Sequence, residues 1–274
     1  MSGDLPKILH ELAKLPGLLN TIYKDAAKPG VTQAGKALGT VIGLGNTVLL
    51  PLALLNERAN ITFSRNMEKY RKQLEGIPVA QICDVPPEIG VPIVEKLAYV
   101  ADDDLSNLYI SLLAKASTDE SSREAHPSFV NIIGSLSPDE ALLLQHLIKT
   151  KNIPFMTARY HRTTTAEWSM VGDELLTGLE TEYKLKFPQN LAVYFSNYEG
   201  LGLVTARRDI HSIPATVYDP IEARYRPIFE PLKEAFAKRG FPDLRFQKGR
   251  IDVTPFGRLF SQACLSKLPA SKPQ

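Results

Sequence analysis

Apolar residues recur at helical spacing through most of the first half of the chain. Residues 4–75 read as helix, opened by Asp4 as an N-cap, restarted at Pro16, and continued by a long helix beginning near Thr32. Pro51 either kinks that helix or opens another, because proline is tolerated in a first turn and costly in an interior. Over 56–74 the pattern turns amphipathic, with Ile61, Met67 and Leu74 among Arg58, Arg65, Glu68, Lys69, Arg71 and Lys72, and Gly76 and Pro78 stop it. Helices are predicted over 86–100 and 103–116. The second carries Leu105, Leu108, Tyr109, Leu112 and Leu113 on one face, and Asp102, Asp103 and Asp104 stand where a helix N-terminus favours acids.

Residues 118–125 form a polar loop, the best place for a domain boundary. His126-Pro127-Ser128-Phe129 starts a short helix, and Ser137-Pro138-Asp139-Glu140 is a capping box with proline at the first helical position. Beyond residue 150 the character changes. Residues 155–161 and 203–210 read as strands, and helices are predicted over 190–199, 221–239 and 255–265.

This order suggests a winged helix. Leu201-Gly202-Leu203-Val204 leads from a recognition helix into a wing, residues 246–253 with Lys248-Gly249 at a turn supply the second wing strand, and Thr254 caps the last helix. Residues 214–243 are a long insertion into that plan. The predicted class is α+β, mostly α: a helical bundle over 1–120, then a winged-helix-like α+β domain over 126–267.

One stretch breaks the ordinary pattern. From Gly35 to Glu57 no residue after Lys36 and before Glu57 is charged, and Gly35, Gly39 and Gly43, with Thr47 next, recur every fourth position. On one continuous helix they would make a face nearly without side chains, a device for close helix packing in membranes. The nineteen residues 37–55 would span about 28 Å at ~1.5 Å per residue, near the ~30 Å hydrocarbon core. Against insertion, Asn46 and Pro51 interrupt the run, and each glycine costs about 1 kcal/mol of helix propensity in water. Two readings therefore stand: a segment that enters the inner membrane, or a packed helix whose glycine face docks on a neighbour. Arg65, Lys69, Arg71 and Lys72 downstream suit either an anionic leaflet or a solvated helix face.

Composition and charge narrow the rest. With 44% hydrophobic and 23% charged residues the chain reads as folded and soluble. Residues 1–136 hold 13 basic and 15 acidic side chains and residues 137–274 hold 19 and 15, so the basic excess lies in the second half. Cys83 and Cys264 stand far apart in apolar contexts, which suits reduced thiols in the cytoplasm. Residues 1–14 carry Asp4, Lys7, Glu11 and Lys14 without a long apolar run, unlike a secretory signal.

No motif for catalysis appears. His10, His126, His146, His161 and His211 are scattered without metal-ligand spacing, Gly43-Leu44-Gly45 follows no strand and lacks a third glycine, and there is no phosphate loop, Gly-x-Ser-x-Gly elbow or paired-cysteine motif. No cofactor or metal is expected. For nucleic acid, Arg207, Arg208, Arg245, Lys248 and Arg250 would place positive charge on the wing, where phosphate contacts belong. The recognition helix offers Gln189, Asn190, Ser196 and Asn197 but neither lysine nor arginine, which favours a protein partner over DNA.

Three segments carry a resemblance: Asp103-Asp104-Leu105 through Leu112-Leu113-Ala114-Lys115-Ala116, then His126-Pro127-Ser128-Phe129-Val130, then Leu136-Ser137-Pro138-Asp139-Glu140-Ala141. With these the chain resembles the bacterial abortive-infection alpha family over roughly residues 55–265. The resemblance implies a prokaryotic defence protein that arrests or kills a phage-infected cell, and it supplies no catalytic residues. The functional expectation is a non-enzymatic antiphage protein acting on a phage or host protein or at the inner membrane, with a homo-oligomer compatible. A winged-helix DNA-binding regulator and a soluble interaction scaffold are the alternatives.

Overall fold

In the computed structural model the described residues are 30–43, 57–147, 150, 152–208, 210, 211, 214–266 and 268. The chain divides into two compact units, Met1–Ala141 with Leu259–Gln274, and Leu142–Arg258. Its class is mixed α+β.

The first unit contains α1 (Val31–Ala37), α2 (Gly39–Gly43), α3 (Glu57–Leu74), α4 (Pro87–Leu97), α5 (Asp103–Ala116) and α6 (Ser128–Gly134), and it holds the start of α7 (Pro138–Leu147). Helix α5 lies at its centre. Leu108, Tyr109, Ile110, Leu112, Leu113, Ala114 and Ala116 are all buried, so apolar packing surrounds α5, as expected of a core helix. Its start is set locally: Asp102 Oδ1 accepts a 3.0 Å hydrogen bond from Leu105 N. Helix α7 opens on the predicted capping box, with Ser137 N donating to Glu140 Oε2 at 2.6 Å and Glu140 N donating to Ser137 Oγ at 3.3 Å. From α3, the buried Asn66 side-chain amide donates to the carbonyls of Leu97 and Val100 at 2.8 and 3.0 Å, closing the C-terminal end of α4.

The long helix expected from near Thr32 does not run on. It stops at Ala37, passes through Leu38 at φ −96° and ψ 9°, and resumes as α2. The cause lies elsewhere in the chain: Val85 N donates to Ala37 O at 2.8 Å, capturing the carbonyl that a continuous helix would offer four residues on. The glycines consequently do not share one uninterrupted helix. The buried positions are Val31, Ala34, Ala37, Leu38 and Val41, while Gly35 is half-buried and Gly39 exposed. Residues 44–56, with Thr47 and Pro51, lie outside the described residues. Among the described residues no helix is long and apolar enough to cross a membrane.

The second unit is built on a four-stranded antiparallel sheet of order β2-β1-β4-β3, with β1 (Asn152–His161), β2 (Trp168–Met170), β3 (Val204–Arg207) and β4 (Asp243–Val253). Its helices are α8 (Leu191–Gly200), α9 (Asp219–Phe229) and α10 (Lys233–Lys238), and α11 (Pro255–Cys264) begins in it. The single helix expected over 221–239 is divided by a 3-10 turn, Glu230–Leu232. Pro227 and Pro231 each lack the N–H that a continuous α-helix requires.

The turn expected at Lys248-Gly249 is absent, because β4 runs straight through it and pairs Met156 with Lys248 and Phe155 with Gly249. Gly249 has a packing reason: a Cβ there would lie 2.4 Å from the Phe155 ring and 2.9 Å from Arg207 O. One side of the sheet forms the core of the unit, where Met156, Ala158, Tyr160 and Leu244 pack with Val171, Leu176, Tyr218, Ile221 and Phe229. Two buried phenols tie helical segments to it. Tyr160 donates to Phe229 O and Tyr218 to Gly249 O, each at 2.7 Å.

After α8 the chain turns at Gly202, φ 73°, and Thr254 ties that turn to α11. Thr254 Oγ1 donates to Gly202 O at 2.6 Å and accepts from Gly257 N at 2.8 Å. The approach is close enough that a Cβ on Gly257 would sit 2.1 Å from Leu203 O.

Candidate interaction face

Alternation along a strand sends neighbouring residues to opposite sides, and direct cross-strand partners share a side. Since Tyr160 and Leu244 face the core, Arg159, His161 and Arg245 face the other way. The register pairs Arg159 with both Arg245 and Met170, and His161 with both Asp243 and Trp168. The far end of β1, β2 and the start of β4 thus gather Arg159, His161, Trp168, Met170 and Arg245 on one sheet face. Trp168 is 45% and Met170 44% exposed.

Arg159 is the central cation. Its guanidinium carbon lies 3.7 Å from the centre of the Trp168 ring, a cation–π arrangement. Among the described residues its buried Nε has no hydrogen-bond partner. Burial lowers the Arg159 pKa, with the Glu174 carboxylate opposing that shift and Arg208 reinforcing it. His161 is also held below its usual pKa, chiefly by burial, then by Arg245 and Arg159, with Asp243 acting in the opposite sense. Around them Arg208 pairs with Glu174 at 2.8 Å, Arg245 with Asp243 at 2.6 Å and Arg162 with Glu167 at 2.7 Å. These carboxylates offset most of the positive charge, so the face is a mixed aromatic and guanidinium surface rather than a uniformly basic one. Tryptophan, methionine and arginine are the side chains enriched at macromolecular interfaces.

The five basic residues proposed for a wing do not form one cluster. Arg207 and Arg250 are direct partners across β3 and β4, and alternation puts Lys248 on their side of the sheet. Lys248 Nζ lies 5.3 Å from the Tyr218 ring centre, and Arg250 pairs with Asp252 at 3.1 Å. Arg245 faces the opposite side, and Arg208 is held by Glu174. The face itself was missed in the sequence reading. Strand alternation in the predicted strand 155–161 would have put Arg159 and His161 together, but β2, which supplies Trp168, is three residues long and leaves little periodicity.

No curated protein and no solved structure matches the chain. The model of one family, abortive infection alpha, matches residues 62–264 of the 274. That span takes in α3 from its second turn onward, α4 to α11 and the whole sheet. The chain belongs to the abortive infection alpha family.

Proposed function

We propose that this chain is an antiphage defence protein of the abortive-infection type, which acts by binding a phage or host macromolecule and catalyses no reaction itself. Family membership supports the defence role. The observation that carries the binding reading is the Arg159–Trp168 pair on an open sheet face, where the buried Arg159 Nε has no hydrogen-bond partner among the described residues. The test is phage plating on cells expressing the full chain. Wild type should suppress plaques and arrest infected cultures, whereas W168A combined with R245E should lose protection at unchanged melting temperature. Full protection by that double variant would remove the face from the mechanism.

A winged-helix reading of the second unit has its own support. Helix α8 precedes β3, and β4 lies between β1 and β3, the strand order such a module uses. DNA binding through it predicts a salt-dependent shift that charge reversal at Arg207, Arg208 and Arg250 abolishes, and no shift at low salt would dismiss it. A membrane step through residues 37–55 requires Leu38 and Val41 to leave their buried positions. Carbonate extraction of membranes before and after infection tests it.

A further inference from the structure

Away from the open face, the second unit contains a pocket of about 260 Å³ between the end of α7, the first residues of β1, the 3-10 turn Leu179–Thr181 and α9. This lies just below the ~300–1,000 Å³ of sites for drug-sized ligands, which sets the scale at one small molecule. Leu147, Ile153, Val217 and Ile221 give it apolar lining.

Three polar features share that lining. His146 and Tyr183 form an aromatic wall, their ring centres 4.5 Å apart and inclined at 33°. Arg224 is fixed through Nη1, which donates to Gly178 O at 3.1 Å and to Thr181 Oγ1 and lies 3.8 Å from the Glu180 carboxylate. Its Nε and Nη2 carry no hydrogen bond to any described residue, leaving a fork of donors in a held guanidinium. Glu182 also lines the pocket, and among the described residues its carboxylate has no partner.

Each feature matches one part of a single ligand class. A guanidinium fork binds phosphate bidentately. Nucleobases stack on aromatic rings and are recognised through hydrogen bonds at their edges. A free carboxylate accepts from base N–H groups, as acidic side chains do from cytosine. We propose that this pocket binds a mononucleotide, with the base against His146 and Tyr183, its N–H edge at Glu182 and the phosphate at Arg224.

The experiment is calorimetric titration of the full chain with the four common 5′-mononucleotides, the corresponding nucleosides and inorganic phosphate. At least one nucleotide should bind about tenfold or more tighter than both its nucleoside and phosphate, a factor of ten being ~1.4 kcal/mol. R224Q should remove that advantage while leaving nucleoside binding in place. E182Q alters an exposed side chain that has no partner among the described residues, so it tests the same site even if R224Q loosens the turn, and it should weaken nucleotide and nucleoside alike. The proposal is overturned if no nucleotide binds at millimolar concentration, if phosphate alone binds as tightly, or if E182Q leaves binding unchanged.

Discussion

Arg159 stacks on Trp168, and among the described residues the buried Nε of the same guanidinium has no acceptor. One residue thus packs like a hydrophobe and retains an unmet hydrogen-bonding group. Trp168 is the only tryptophan in the chain, so its fluorescence reports on this face alone. R159A should uncover one side of the indole and raise its quenching by acrylamide, at a stability cost of about 0.5–1 kcal/mol from the lost cation–π contact. Unchanged quenching would mean that the pair does not persist in solution.

Gly249 exists for Phe155. G249A should cost about 1–3 kcal/mol in urea unfolding through overpacking. In the background of F155L, where the ring is gone, the same substitution should cost measurably less. Additive costs would locate the strain elsewhere.

The carbonyl of Gly249 gives a second test from the other side of the strand. Y218F removes its buried donor and should cost about 1–3 kcal/mol while leaving the ring packed. A neutral result would require another donor to replace the phenol.

Lys115 is nearly buried and donates to Glu124 Oε2 at 3.0 Å, across the polar segment that follows α5. Thr118 and Ser121 in that segment are buried as well, with Ser121 Oγ donating to Lys115 O. K115M should cost about 1.5–3 kcal/mol, the range for a hydrogen bond to a charged group. Thermal unfolding should place E124A below K115M, because loss of Glu124 strands the buried Lys115 ammonium, whereas the carboxylate left by K115M reaches solvent.

His161 gives a pH dependence with a defined sign. Its folded pKa lies below the ordinary value of 6.5, so the unfolded chain takes up a proton first as pH falls. Stability is undiminished above about pH 6.5 and declines below it until the folded state also protonates. H161Q should therefore flatten the melting-temperature profile on the acid side of pH 6.5 and leave the alkaline side unchanged.

Local chemistry was enough to read α5 and α7. The Asp102 cap, the Ser137–Glu140 box and the 3.6-residue period all act within a turn or two, so no distant residue is needed to interpret them. The same holds for the family resemblance, whose three segments are those helices and the start of α6. The break at Leu38 is different in kind. It depends on Val85 N taking the carbonyl of Ala37, and a glycine-rich, uncharged run gives no local sign of that competitor.

The sheet divides in the same way. That residues 155–161 and 246–253 are extended follows from their composition, but Lys248-Gly249 reads as a turn until Phe155 is laid across it. Register then decides which side each arginine occupies, because a slip of one residue exchanges the two sides. Alternation alone could pair Arg159 with His161, whereas placing Trp168 beside them required the β1–β2 pairing. The pocket is more remote still, since His146, Tyr183 and Arg224 stand on three separate segments. Helices with local caps, the family and the extended segments are legible from neighbouring residues alone; the broken helix, the two-sided arginines and the pocket are not, because each rests on a hydrogen bond or packing contact between residues far apart along the chain.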